Sequence, residues 1–79
     1  MTNLSNNGEK YLLLFQNIHK VMKAEQILKV NNVEYQVVPV PSAFSSECGM
    51  CIQVYGSLVD FSLELLHKNS IDFRLVING

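Results

Sequence analysis

The sequence lacks several features on which common classes of enzyme depend. It has no paired carboxylates, no serine-histidine-aspartate set and no phosphate-binding glycine loop. An independent hydrolase or kinase is therefore not expected. Lysine and arginine together number only 6 and form no basic cluster, and the formal net charge is -1. This charge pattern argues against a protein that binds nucleic acid through electrostatic attraction.

Long hydrophobic runs are also absent. The longest apolar stretch, residues 11–15, is far too short to cross a bilayer, so no membrane association is expected. Residues 1–9 are polar and rich in asparagine, without the features of a signal peptide, and we expect them to form a disordered tail. The predicted location is the cytoplasm.

The remaining residues, 10–79, are enough for one domain with a small core. Hydrophobic residues make up 48% of the chain and charged residues only 16%. A small domain of this composition leaves apolar surface exposed after folding. We therefore expect a homodimer or another protein partner.

Apolar periodicity predicts two helices among four strands. Asn17 is the expected N-cap of the first helix, and Ser57, followed by Asp60, the expected cap of the second. Pro39 and Pro41 cannot donate to a ladder, which places the second strand at a sheet edge. The predicted elements are a strand at 10–16, a helix at 18–30, strands at 33–40 and 50–55, a helix ending at 67–68, and a strand at 71–77.

This β-α-β-β-α-β order predicts an α+β, ferredoxin-like fold, with a four-stranded antiparallel sheet and two helices on one face. Right-handed crossovers place the first strand between the third and fourth. The other face of the sheet is expected to carry Val54 or Tyr55 and to be the dimer surface.

Both cysteines, Cys48 and Cys51, follow a loop rich in proline and serine, in C-x-x-C spacing. A thiol is the one strong nucleophile in this chain that needs no separate base. In a reducing compartment we do not expect the pair to form a structural disulfide. It is better interpreted as reactive, metal-binding or incidental.

The topology predicts that Cys48 lies near the start of the first helix, where His19 and Lys20 are located. Free N–H groups at a helix start favour a thiolate. The second helix is expected to end nearby, at His67 and Lys68. The adjacent carboxylate of Glu47 has the opposite effect, so the direction of the thiol's pKa shift stays open.

A set of residues around this loop resembles a known family. The set comprises Phe15, His19, Ala24-Glu25, Leu28, Val38-Pro39-Val40-Pro41, Ser45-Ser46 and Cys48-Gly49. It is similar to small bacterial proteins described as selenium/sulfur carrier-like. The resemblance covers residues 11–76, and Ser42 departs from it, because an arginine is expected there.

The resemblance implies that Cys48 holds sulfur or selenium as a persulfide or selenide. Gly49, His19, Ser46 and Glu25 are the expected supporting residues. It also implies a donor such as a cysteine desulfurase and an acceptor protein, and no cofactor is expected. Cys51 is not part of the family's pattern, but in a carrier it could discharge the cargo as a resolving thiol.

Three other functions stay open. A thiol-disulfide redox protein would need both Cys48 and Cys51. A zinc site would need a histidine beside the two cysteines, and a single C-x-x-C is a weak indication of one, so no metal is expected. A non-catalytic binding or regulatory module would not need Cys48 at all.

Overall fold

A computed structural model describes residues 9–44 and 49–77 of the chain. The described chain forms four strands and two helices, and their order confirms the predicted β-α-β-β-α-β arrangement. The elements are β1 (Lys10–Leu14), α1 (Ile18–Val30), β2 (Gln36–Pro39), β3 (Met50–Tyr55), α2 (Gly56–Lys68) and β4 (Arg74–Ile77). Residues 1–8, which make up most of the predicted tail, lie outside the described residues.

The four strands form one antiparallel sheet in the order β2-β3-β1-β4. In β1, Leu14 lies opposite Cys51 of β3 on one side and Arg74 of β4 on the other. At the edge, Pro39 of β2 is paired with Met50. The predicted strand order and the edge position of the proline-containing strand are both confirmed, and the fold is α+β and ferredoxin-like.

Both helices contribute to a core on one face of the sheet. Asn17 caps α1 as predicted, because its side-chain oxygen accepts a hydrogen bond of 3.0 Å from the Lys20 amide. Each helix is 13 residues long, and no helix in the described part of the chain could span a membrane. The core is formed by Leu13, Phe15, Val21, Ala24, Leu28, Val33, Ile52, Val54, Val59, Leu65, Leu66 and Ile71.

The opposite side of the sheet, here called the outer face, has a smaller apolar cluster at its centre. Leu12, Leu14 and Cys51 are at most 4% exposed there, although no helix covers them. Side chains that follow β2, including Phe44, pack against this cluster. The chain therefore covers the middle of its own outer face, and a homodimer through that face stays a prediction.

The expectation that Val54 could lie on the outer face is wrong. Val54 alternates with Cys51 along β3 and packs with Ile52 in the helix-covered core. Tyr55, the other residue expected there, does lie on the outer face: it alternates with Val54, shares the face of Cys51 along β3, and is opposite Lys10. A strand's alternation fixes which residues share a face, but it does not by itself reveal which face the helices cover.

Both helices end in the same hydrogen-bonded motif. After α1, Asn32 adopts a positive φ of 61°, and the Val33 amide donates to the Leu28 carbonyl at 2.9 Å. After α2, Ser70 has a φ of 59°, and the Ile71 amide donates to the Leu66 carbonyl at 3.0 Å. This is the Schellman pattern, in which the residue after the left-handed one packs against the last helical turn.

That motif explains why β2 and β4 begin three residues later than predicted. Val33 and Ile71 are buried at the helix ends rather than paired in the sheet. The start of α2 also differs from the prediction, because the helix begins directly at Gly56. Its N-cap is Tyr55, without a capping side chain, so the predicted capping role of Ser57 is wrong.

Candidate functional site

The loop that carries Cys48 connects β2 to β3. Beyond the last ladder pair, the Val40 amide donates a 3.0 Å hydrogen bond to the Gly49 carbonyl. This bond closes the loop one residue after Cys48. Four residues of the loop lie outside the described residues: Ser45, Ser46, Glu47 and Cys48. The described parts of the loop are its two flanks.

The flank after β2 turns back toward the sheet. The Phe44 amide donates to the Pro41 carbonyl at 3.0 Å, which closes a four-residue turn. Phe44 and Val40 then pack against the apolar cluster of the outer face. This packing anchors the first half of the loop on the sheet.

The flank before β3 is Gly49, which is exposed and has a φ of +83°. A Cβ added to Gly49 would meet no atom within 4 Å. The requirement for glycine is therefore conformational and not spatial, because side-chain-bearing residues rarely adopt this backbone angle. Gly49 turns the chain between position 48 and the start of β3.

Cys51 occupies a very different environment from Gly49. Its side chain has 0% exposure and packs with Leu12 and Leu14 in the outer-face cluster. A reagent in solution cannot reach this thiol unless the outer face opens. The structure therefore places the second cysteine of the C-x-x-C pair inside the protein.

The flanks of the loop share one end of the sheet with the start of α1. Strand pairing places Leu14, Pro39, Met50 and Arg74 at that end, and α1 begins four residues after Leu14. The helix α2 also ends there, at Lys68, and β4 begins at Arg74 after a connection of five residues. The expectation that Cys48 itself lies close to the start of α1 stays a prediction.

The two histidines have different surroundings at this end. His19 is exposed in the first turn of α1, next to the half-buried Lys20. The ring of His67 is 5.3 Å from the ring of Phe73, which in turn lies 6.4 Å from that of Phe15. His67 thus belongs to an aromatic cluster at the end of α2.

Glu25 lies seven residues along α1 from Ile18, a distance of roughly 10 Å along the helix axis. Its carboxylate accepts a 2.9 Å hydrogen bond from the Tyr35 hydroxyl. Burial and this hydrogen bond together raise the pKa of Tyr35 above its usual value. The contact ties α1 to the segment before β2, and a role for Glu25 in the site stays a prediction.

Arg74, the single arginine of the sequence, is a candidate that the sequence analysis did not connect with the site. It lies opposite Leu14, which lies opposite Cys51, so the three form one row across the outer face. Strand alternation places Arg74 and Leu75 on opposite faces of the sheet. The register that aligns Arg74 with Cys51 could not be read from the sequence.

Among the described residues, no three histidine, cysteine, aspartate or glutamate side chains are grouped so that they could hold a metal ion. The described chemistry of the site therefore consists of the loop flanks, the buried Cys51, the start of α1 and the basic residues at the same end of the sheet.

The sequence matches a known protein family. Neither the curated proteins nor the solved structures include a match to the chain. The family model described as "Putative Se/S carrier protein-like" matches residues 10–77, which includes every strand and helix. The chain therefore belongs to the Se/S carrier protein-like family.

Proposed function

We propose that the protein carries sulfur or selenium as a persulfide or selenide on Cys48. The observation that carries this proposal is the family match over residues 10–77, which includes the whole cysteine loop. A carrier needs one nucleophilic thiol that a donor protein and an acceptor protein can both reach. Cys48 directly precedes the exposed Gly49, at the base of a hairpin loop.

The burial of Cys51 supports a carrier that uses one cysteine. Transfer requires the attacking thiolate to approach the donor's terminal sulfur along the sulfur-sulfur bond. Cys51 is fully buried among leucine side chains and offers no such approach in the folded state. In a dithiol redox protein the second thiol attacks the mixed disulfide that the first thiol forms with its partner. Cys51, with 0% exposure, would have to be uncovered before it could do so, and this favours the carrier over the dithiol redox protein.

The loading step is redox-neutral overall. The Cys48 thiolate attacks the terminal sulfur of a persulfide on the donor, and a new sulfur-sulfur bond forms as the donor's bond breaks. The electron pair of the broken bond leaves with the donor thiolate, which takes up a proton. The acceptor removes the terminal sulfur by the same exchange, and a selenium atom in the terminal position follows the same balance.

Positive charge at this end of the sheet fits a site that holds an anion such as a persulfide. The start of α1 carries the partial positive charge of the helix dipole, and its first turn has no acidic residue. Arg74 is on the outer face, against which the first half of the loop packs. We expect both to stabilise the thiolate and the persulfide of Cys48.

The partners follow from this chemistry. The donor must form a persulfide or selenide on its own cysteine, as a cysteine desulfurase does, and the acceptor must supply a thiol or another nucleophile. Seven large apolar side chains among the described residues are exposed, including Met22 and Ile77 at 58% each. Such side chains provide contact area for a transient partner or for a second copy of the chain.

Intact-mass spectrometry tests the proposal. The purified protein is incubated with a cysteine desulfurase and cysteine, or with selenocysteine and a suitable lyase, and compared with Cys48→Ala and Cys51→Ala. We expect one added sulfur or selenium atom that a reductant removes. The adduct should be absent from Cys48→Ala and present in Cys51→Ala.

Two results would count against the carrier function. Loading of Cys48→Ala to the same extent as the wild type would remove Cys48 from the reaction. An internal disulfide in the wild type, together with loss of reactivity in either variant, would favour the thiol-disulfide redox protein. Circular dichroism of both variants establishes whether they are folded before the comparison.

A further inference from the structure

A further surface feature lies between the start of α1, which also belongs to the candidate site, and the turn that follows α2. It is a shallow cavity of about 300 Å³, near the lower end of the sizes typical of small-molecule sites. None of the described residues that line the cavity belongs to the cysteine loop. It is lined by Asn17, His19, Lys20, Lys23, Ser70 and Ile71.

The lining is rich in hydrogen-bond donors, and its charged side chains are positive. Among the six described residues that line it, two are lysines, one is a histidine, and none carries a carboxylate. Within the described residues, neither Lys20 nor Lys23 forms an ion pair. Two ammonium groups that have no ion-pair partner among the described residues line one small cavity, in a chain whose net charge is -1.

The local hydrogen bonds leave donors available. The Lys20 ammonium uses one of its three donors on the Gln16 side chain, at 3.1 Å. The side-chain oxygen of Asn17 accepts a hydrogen bond from the Lys20 amide. The NH₂ group of the same side chain remains a donor. Ser70 contributes an exposed hydroxyl from the turn after α2.

The cavity also adjoins the positive end of a helix. α1 begins at Ile18, and its first turn contains no acidic residue to neutralise the dipole. The first amides of a helix have no acceptor within the helix, and phosphate groups commonly bind at such positions. The lysine side chains and the cavity add to this field from a second direction.

We propose that this cavity binds a small phosphate-class anion, either inorganic phosphate or the phosphate group of a small ester. Lys20 and Lys23 supply the charge, and the donors of Asn17, His19 and Ser70 orient the oxygen atoms. The proposal does not depend on Cys48, because every residue that it uses lies outside the cysteine loop. Failure of the carrier function would leave it unchanged.

NMR titration of the full chain with inorganic phosphate and, separately, with glycerol 3-phosphate tests the inference. The buffer contains no phosphate, and sodium chloride keeps the ionic strength constant. We expect saturable shifts of the His19, Lys20 and Ser70 amides. The compound that binds more tightly identifies the source of the phosphate group as the free ion or an ester.

Charge-removal variants make the test specific. Lys20→Gln and Lys23→Gln should each weaken binding by about three- to tenfold, the effect expected for loss of one cation at a partly exposed site. Lys29→Gln is the matched control, because Lys29 lies on the same helix but does not line the cavity. Shifts that do not saturate with either compound would overturn the inference, and so would an equal loss of binding in Lys29→Gln.

Discussion

Replacement of Gly49 provides a sharp test of how the structure positions the cysteine loop. Gly49 has a φ of +83°, and its missing Cβ would lie in open space. An alanine there bears a left-handed backbone cost of about 1–2 kcal/mol. Its smaller entropy in the unfolded chain offsets about 0.4–1 kcal/mol of that cost. The expected net destabilisation of Gly49→Ala is therefore about 1 kcal/mol.

Urea denaturation of Gly49→Ala and Gly49→Asn measures this cost. Thermal unfolding gives a second measure, because in a domain of this size a loss of about 1 kcal/mol lowers the melting temperature by roughly 4–8 °C. Asparagine tolerates the left-handed region better than alanine does, so Gly49→Asn should lose about half as much stability despite its larger side chain. An alanine variant as stable as the wild type would refute the conformational argument. A larger loss for asparagine than for alanine would show that space, and not φ, is limiting.

Three further predictions concern the rest of the described structure. Cys51 should react with iodoacetamide at least about a hundredfold more slowly in the folded protein than in the denatured chain, because alkylation requires the outer face to open; rapid labelling under native conditions, detected by peptide mass spectrometry, would contradict its burial. Ser70→Gly should raise the free energy of unfolding by about 0.5–1 kcal/mol, because it relieves a left-handed serine at the end of α2. Asn32→Gly is the matched comparison at the end of α1 and should gain less, so a larger gain there in urea denaturation would argue against the explanation. Glu25→Gln should lower the pKa of Tyr35 toward its usual value, measured by ultraviolet absorbance in an alkaline titration. Since the folded-state pKa is raised, the contribution of Tyr35 to stability is complete below the unfolded pKa of about 10 and is lost as the pH rises through the folded value; an unchanged titration in Glu25→Gln would show that the carboxylate has no influence.

The order of the elements and the topology could be predicted because each depends on local signals. Asn17 precedes an apolar pattern of helical period and caps α1 in the structure. Pro39 excludes β2 from the middle of a sheet, and the right-handed crossover rule then leaves little choice of strand order. These rules use information contained within a few residues or within the connectivity.

The starts of β2 and β4 could not be predicted in the same way. Val33 and Ile71 have the apolar, β-branched side chains that are typical of strands. In the structure each serves as the hydrophobic residue of a helix-ending motif. The decisive signal was the left-handed residue before each of them, Asn32 or Ser70, and serine is not a usual residue for that conformation.

The limits of the sequence are clearest at the C-x-x-C pair, because its spacing does not state how accessible each thiol is. Strand alternation predicted that Cys51 points away from Ile52, and the register confirms it. Alternation would ordinarily leave an outward residue on an antiparallel sheet in contact with water. Cys51 is buried instead, because the chain after β2 folds back and packs Phe44 against the cluster that contains it. The two cysteines of one motif therefore differ in what is asked of them: Cys51 fills an apolar cluster, and the proposed carrier chemistry requires Cys48.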